Sequence, residues 1–300
     1  MPSPTRDDEV FERRRAIQKI ELLPTIPIML QKIIAISSDP NTSAQDLERT
    51  IIKDQSIAAA ILKLANSAYY GYARTVDDIG RAIVIIGFKT AVSVAISVSV
   101  LRSLTQIIQS DEFDCTEFWK HSIASGEAGQ LFAREMDPAI RDGLSRAYIV
   151  GLLHDIGKIV LAYLDDVHFN DAVFEARALQ KPLFECEERI FGFDHQTAGG
   201  WLAERWHLPE GIVAAVRYHH IPHSGIDKCP EHLLPDVLVA HTANYIVHSV
   251  HIGTSGDVVP QELHPLVGSK FAISTETFNH IYSKLEEQRE IINVFLEAIL

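Results

Sequence analysis

The sequence predicts an all-α fold on three observations. Apolar residues return every three or four positions, as in Ile57, Ile61, Leu64 and Ala65 and again in Ile79, Ala82, Ile83 and Ile86, which is the period of a helix. Helix-start residues stand ahead of such runs: Pro27, the pair Ser43 and Asp46, Pro182, Asp194 and Pro209, where a side-chain oxygen or a proline satisfies the first turn. No internal repeat or low-complexity tract breaks the pattern.

The elements follow in order. Residues 1–22 form an N-terminal helical segment in which Arg13-Arg14-Arg15 and Lys19 alternate with Glu9, Glu12 and Glu21, the pattern of a solvated face. Thr25 and Pro27 open a helix carrying Ile28, Leu30, Ile33 and Ile34. Ser43 with Asp46 resembles a capping box for a helix through Ile52. Gly71 marks the end of the segment after Leu64 and Ala65. In Asn66-Ser67-Ala68-Tyr69-Tyr70-Gly71, Asn66 is expected to satisfy backbone groups at a helix end, with the tyrosines packing between lobes.

From Val92 to Val100 every second residue is apolar, with Ser93, Ala95, Ser97 and Ser99 between, which by itself reads as a strand. Long helices are expected over Phe118–Met136 and Leu144–Leu164. Pro182 opens a helix to Phe191, Asp194 caps the next, and Leu208-Pro209 starts one ending at His219-His220. Pro222 to Pro235 reads as a loop. Helices over Asp236–His248 and Thr275–Leu300 close the chain, joined by an irregular connector marked by Gly253, Gly256, Pro260 and Pro265. The terminal apolar pattern, Ile281, Leu285, Ile291, Ile292, Phe295, Leu296 and Ile299, belongs to the core.

Three hundred residues are ample for a buried core. A hydrophobic content of 47% with 22% charged residues is that of an ordinary globular protein. The net charge of −13 argues against nucleic acid as a partner. Cys115, Cys186 and Cys229 show no paired spacing, and the polar start Met1-Pro2-Ser3-Pro4 has no apolar signal core, so reduced thiols and a cytoplasmic location are expected. The longest apolar stretch, Ala91–Leu101, is too short to span a bilayer.

The chemistry centres on His154-Asp155, within Gly151-Leu152-Leu153-His154-Asp155-Ile156-Gly157-Lys158. An imidazole and a carboxylate in an apolar run must be paired, coordinated or placed in a cleft, and together they suit zinc, iron, manganese or nickel. His121, His195 and the His219-His220 doublet are the further candidate ligands. Glu117, one helical turn before His121, can ligate or can sit in solvent facing Lys120 or His121. Lys158 can reach a phosphate as a point charge or can partner Asp155. The bland alternative is a polar core network in which Asp155 orients His154. His207, His223, His232, His241 and His248 read as surface or capping residues.

The order His121, His154-Asp155 with Lys158, His195, His219-His220 resembles the HD superfamily of metal-dependent phosphohydrolases. Upstream, Leu23-Pro24-Thr25-Ile26-Pro27, Ser37-Ser38-Asp39-Pro40, Leu64-Ala65-Asn66-Ser67-Ala68-Tyr69-Tyr70-Gly71 and Ala82-Ile83-Val84-Ile85-Ile86-Gly87 are similar to the HDOD domain, the HD-related output domain of bacterial signalling proteins. The resemblance implies a helical domain over 23–223 with an N-terminal lobe (23–112) and an HD-like lobe (113–223). A C-terminal extension (224–300) is expected to complete the second lobe. It also implies that Val92–Val100 is helical, its small serines packing between helices.

Two departures bear on activity. The closing aspartate of the superfamily aligns with Asn244, in Val239-Ala240-His241-Thr242-Ala243-Asn244, and an amide adds no charge to a metal shell. The Gly-Tyr-Pro element of cyclic di-nucleotide phosphodiesterases is absent after the doublet. The expected function is therefore that of a stand-alone signalling module with a divalent-metal site, acting on signalling proteins or a small phosphorylated ligand. The alternative is a metal-dependent phosphohydrolase.

Overall fold

The structure, a computed structural model, describes residues 25–39, 41–72, 75–104, 112–136, 146–220, 226–259 and 261–299. The N-terminal segment 1–22, Leu23-Pro24, Pro40, Pro222, His223 and Pro260 lie outside them. The described residues form helices and short 3-10 turns, with no strand among them.

The first lobe holds α1 (Ile28–Ser38), α2 (Ala44–Ile51), α3 (Gln55–Ala65), α4 (Ile79–Ile86) and α5 (Phe88–Leu104). Each start is written locally. Pro27 stands before α1. Ser43 Oγ accepts from the Asp46 N–H at 3.2 Å while Asp46 returns the contact to the Ser43 N–H at 3.1 Å, the reciprocal pair of a capping box. Asn66 accepts from the Val76 N–H at 2.7 Å and donates to the carbonyls of Leu62 and Val76, both at 2.8 Å. That side chain ties the end of α3 to the chain returning toward α4. Gly71 closes the intervening 3-10 turn at φ +58°, where a Cβ is disfavoured.

Helix α5 resolves the strand-like reading of Val92–Val100. Gly87, at φ +88°, turns the chain by 111° out of α4. From Ala91 to Leu101 every residue of α5 is then buried. A helix covered on all sides has no polar stripe, so its alternating valines and serines carry no period. Ser97 Oγ meets the Tyr148 hydroxyl at 2.8 Å, and Ser99 returns its proton to the Ala95 carbonyl at 2.7 Å.

The second lobe comprises α6 (Cys115–Arg134), α7 (Ala147–Leu153), α8 (Ile156–Leu164), α9 (Asp166–Leu179), α10 (Leu183–Phe191), α11 (His195–Arg205), α12 (Glu210–Tyr218) and α13 (Leu234–Val250). Asp194 caps α11 by accepting from the Thr197 N–H at 2.9 Å. Helices α6, α7 and α13 pack on one another, and α8 packs on α11. The helix expected over Leu144–Leu164 is two helices, broken at His154-Asp155. Together Ala147–Leu164 is long and apolar enough to cross a membrane, yet 94% of it is buried inside the fold.

The C-terminal stretch also differs from expectation. A short helix, α14 (Pro265–Phe271), occupies part of the irregular connector, and α15 (Thr275–Glu287) and α16 (Arg289–Ile299) replace one long helix. Two 3-10 turns, Ile226–Lys228 and Glu231–Leu233, lie in the stretch read as a loop. Helix α16 packs on α3 and α5 as well as on α6. The extension thus clamps both lobes rather than completing only the second.

Candidate metal centre

On either side of the break between α7 and α8 a glycine brings backbones together. A Cβ on Gly157 would fall 1.7 Å from the His195 carbonyl oxygen, and one on Gly151 would fall 2.2 Å from that of Ser125. Helices α8 and α11 therefore touch main chain to main chain, which sets His195 beside Asp155. His154 stands beside Asp155 at the break, His121 comes from α6, His219 and His220 follow the end of α12, and all six groups are buried.

Asp155 is the hub. Its Oδ1 lies 3.3 Å from Nε2 of both His195 and His219. Its Oδ2 lies 3.2 Å from His154 Nε2, 4.0 Å from His121 Nε2 and 2.8 Å from Lys158 Nζ. Two ligand sets share this carboxylate: Asp155 with His195, His219 and His220, and Asp155 with His121 and His154, each with its donor atoms within 4.8 Å of one another.

Ring orientation decides what the cluster can hold. Nδ1–H of His154 donates to the Gly151 carbonyl at 2.7 Å, and Nδ1–H of His219 donates to that of Val216 at 2.9 Å. His195 Nδ1–H donates to Glu187 Oε2 at 2.5 Å, and the same oxygen accepts the His195 backbone N–H at 2.9 Å. Each ring, when neutral, then points an Nε2 lone pair at Asp155. His154 Nε2 and Asp155 Oδ1 are buried without a hydrogen-bond partner. His195 and His220 bring their Nε2 atoms to 2.8 Å, a separation that requires a proton or a cation between lone pairs. The Gln261 amide contacts His220 Nδ1, and its Oε1 is otherwise orphaned. Turned oxygen-first, it accepts Nδ1–H and leaves His220 Nε2 bare as well.

Charge points the same way. Three carboxylates, Asp155, Glu187 and Asp257, surround one ammonium, Lys158, whose Nζ donates to Asp155 at 2.8 Å and to Asp257 at 2.6 Å. With neutral rings two negative charges would remain in a dry site; in the metal-free protein a proton on His195 offsets one of them, and a divalent cation that displaces that proton balances both. In the metal-free protein burial drives His121 and His220 well below the usual imidazole range and His219 down to about 4. Burial opposes a proton on His195 too, but Glu187 outweighs it and holds that ring up at about 10. Burial likewise works against the Asp155 carboxylate, and His154 and Lys158 overcome it to keep the group well below its ordinary range. Imidazoles with fixed tautomers, one braced by a carboxylate, are what a divalent metal of the iron, manganese, nickel or zinc type requires. The residues present fit such an ion.

Not every expected ligand joins. Glu117 is partly exposed and faces Lys120 at 3.7 Å, so its carboxylate is outside both sets. Asn244 is buried on α13 with Oδ1 unpartnered. It stands three residues after His241, whose Nδ1–H donates to the His219 carbonyl at 2.9 Å, and four before His248, whose ring centre lies 5.1 Å from that of His121. That helical spacing puts the three on one face. His241 is buried and His248 stands half-buried beside His121, so neither is the surface or capping residue expected. His207 and His232 are exposed, as expected.

Glu187, Asp257 and Gln261 were not anticipated. Glu187 carried a signal: it follows Leu183, Phe184 and Cys186 on the buried face of α10, and an acid on an apolar stripe implies a buried partner. Asp257 follows Gly253-Thr254-Ser255-Gly256 and carried none.

A helical lobe that gathers imidazoles from four helices around one buried aspartate defines a histidine–aspartate fold with a candidate metal centre. The chain belongs to the HDOD domain family, whose profile matches residues 23–222. An uncharacterised protein of Treponema pallidum (strain Nichols) is 26% identical over 250 residues, covering 82% of this chain and 46% of the relative. This chain therefore spans about half the length of that relative.

Among solved structures, an HDOD domain protein of unknown function from Geobacter sulfurreducens is 21% identical, with a TM-score of 0.75 over 95% of this chain and 98% of that one. A protein of Marinobacter aquaeolei VT8, provisionally named for signal transduction, is 20% identical with a TM-score of 0.77 over 97% and 66%. One from Shewanella amazonensis SB2B, provisionally named a phosphohydrolase, is 17% identical with a TM-score of 0.65 over 95% and 98%. At these identities the likeness shows the fold.

Proposed function

We propose that this chain is a regulatory module of bacterial signal transduction whose His–Asp centre holds a divalent cation and which acts by binding a signalling protein or a small phosphorylated ligand. The observation that carries the metal reading is the convergence of imidazole Nε2 atoms on Asp155, their Nδ1 sides already engaged, in a buried site richer in carboxylates than in fixed cations. His154, Asp155, His195, His219 and His220 would hold the ion, with His121 and Asn244 at its edge. A bound cation would supply Lewis acidity at a phosphate oxygen or a water. The rest of the site is arranged for holding rather than for turnover. Glu187 fixes the tautomer of His195, Lys158 is spent on two carboxylates, and Asn244 offers an amide where a base would stand. The free thiols of Cys115, Cys186 and Cys229 support placing the module in the cytoplasm.

A metal-dependent phosphohydrolase is the second reading, favoured by the two carboxylate-sharing ligand sets, which suit a two-metal clamp. One experiment separates them. Protein purified without chelator is assayed for metal by elemental analysis and for hydrolysis of an aryl phosphate, an aryl phosphodiester and cyclic di-GMP. About one equivalent of iron, manganese, nickel or zinc, lost in Asp155→Ala, with no turnover, is the expected result. Turnover abolished by Asp155→Ala establishes the hydrolase instead, and metal-free protein refutes the metal centre.

A further inference from the structure

The connector between α13 and α14 lies outside the family match of residues 23–222, yet it visits the metal centre at every turn. The Thr254 N–H donates to the Glu117 carbonyl at 3.2 Å. Gly253, at φ +70°, sits so close to α6 that a Cβ there would fall 2.4 Å from the His121 backbone nitrogen. Asp257 meets Lys158, Gln261 meets His220, and the His264 N–H donates to His241 Nε2 at 3.1 Å. These contacts are polar: those of Asp257 and Gln261 go to Lys158 and His220, and the others go to the α6 backbone beside His121 and to His241, which braces the His219 carbonyl. A segment that merely packed on the lobe would use apolar side chains.

The seat of Asp257 is the informative part. One carboxylate oxygen accepts from Lys158 Nζ at 2.6 Å and from Ser255 Oγ at 3.1 Å, and the other accepts from the Leu183 N–H at 3.3 Å. Leu183 is the first residue of α10, a nine-residue helix with no side-chain cap. A buried ammonium, a hydroxyl and the positive end of a helix thus converge on one anion, beside the candidate metal ligands. Such a donor set suits a phosphate oxyanion as well as a carboxylate.

We propose that Lys158 and the N-terminus of α10 form an oxyanion seat that the chain fills with its own Asp257, so that the strap of residues 253–259 closes the metal centre until a phosphorylated ligand displaces it. This rests on the functional reading above, to which it adds the ligand class and the means of control. The Asp257 carboxylate takes the place of the phosphate, and the same residue neutralises Lys158 in the ligand-free state. An incoming dianion exchanges for it with no loss of pairing to Lys158. Strap release and ligand entry are then one event.

The test measures inorganic phosphate binding by calorimetry, in native protein, in Asp257→Ala and in Asp257→Ala with Lys158→Met, with metal content assayed in each sample. Asp257→Ala should bind phosphate at least tenfold more tightly than native protein, and the added Lys158→Met should abolish the gain. Folded Asp257→Ala without that gain, or a gain that survives Lys158→Met, overturns the proposal. A measurement on the native chain holds even where the variants do not fold. Saturating phosphate should raise amide exchange across 253–259 at least tenfold and leave α11 unchanged, and unaltered strap protection overturns the proposal too. Lys158-dependent phosphate binding in metal-free samples would leave the strap standing while the metal reading fell.

Discussion

Asn244 is the residue at which the proposed ligand shell can be tuned without disturbing its scaffold, because it is buried, unpartnered at Oδ1 and close to isosteric with aspartate. Asn244→Asp adds a negative charge near a site already rich in carboxylates. The Coulomb gain toward a divalent ion is therefore partly offset by desolvation and by repulsion from Asp155. The expected outcome is an affinity about tenfold higher at neutral pH, read by competition with a chromogenic chelator. The advantage over native protein should shrink as the new carboxyl is protonated in acid. His154→Ala should abolish binding in either background. Equal affinities at neutral pH would place Asn244 outside the shell. His241 is a poor control here, since its ring braces the His219 carbonyl.

Helix α8 is where element packing and site geometry are the same fact. Gly157 lets its backbone reach α11, with Gly199 N also only 2.6 Å from where a Cβ would stand. Both neighbours are main chain, so nothing yields short of moving a helix. Gly157→Ala should cost about 3 kcal/mol by urea denaturation, the upper range for overpacking. It should also lower metal content by shifting His195 from Asp155. Native stability together with native metal content would show that the two helices are free to slide. Helix α5 teaches a different lesson about elements. Its Val–Ser alternation was strand-like on local period alone. Total burial removes the polar face that a helical period needs.

At the scale of the whole molecule, the two lobes and α16 meet around a cavity of about 60 Å³ lined by Leu64, Tyr70, Thr90, Glu127, Ile292 and Phe295. Burial raises Glu127 to about 7 from the ordinary 4.5. A carboxyl whose folded pKa is raised favours the protonated folded state. Its contribution is therefore full below pH 4.5 and is lost as pH rises through 7. Glu127→Gln keeps the shape and removes the charge. It should raise the melting temperature at pH 8 and change little at pH 5. Glu127 keeps some solvent access, so the gain at pH 8 is about 1–2 kcal/mol, less than the full shift implies. An equal effect at both pH values would mean that the junction does not feel the charge.

What the sequence by itself determined was local. Helix starts at Ser43, Pro182 and Asp194, the bond of Asn66 to the Leu62 carbonyl at the end of α3, and the periodic stripe Ile79, Ala82, Ile83 and Ile86 are written within a few residues of one another. The central ligands were legible too, because a His–Asp pair in an apolar run has few ways to be buried, and the order of the other histidines resembles a known family. Only the tertiary structure decided which polar groups complete the site. Glu187 reaches His195 across eight residues, Asp257 reaches Lys158 across ninety-nine, and Gln261 reaches His220 across forty-one. No periodicity links such positions. Their approach depends on backbone contacts at Gly157 and Gly253, where the absence of a side chain sets the distance between helices, and that absence becomes informative only once the partner strand of backbone is in place.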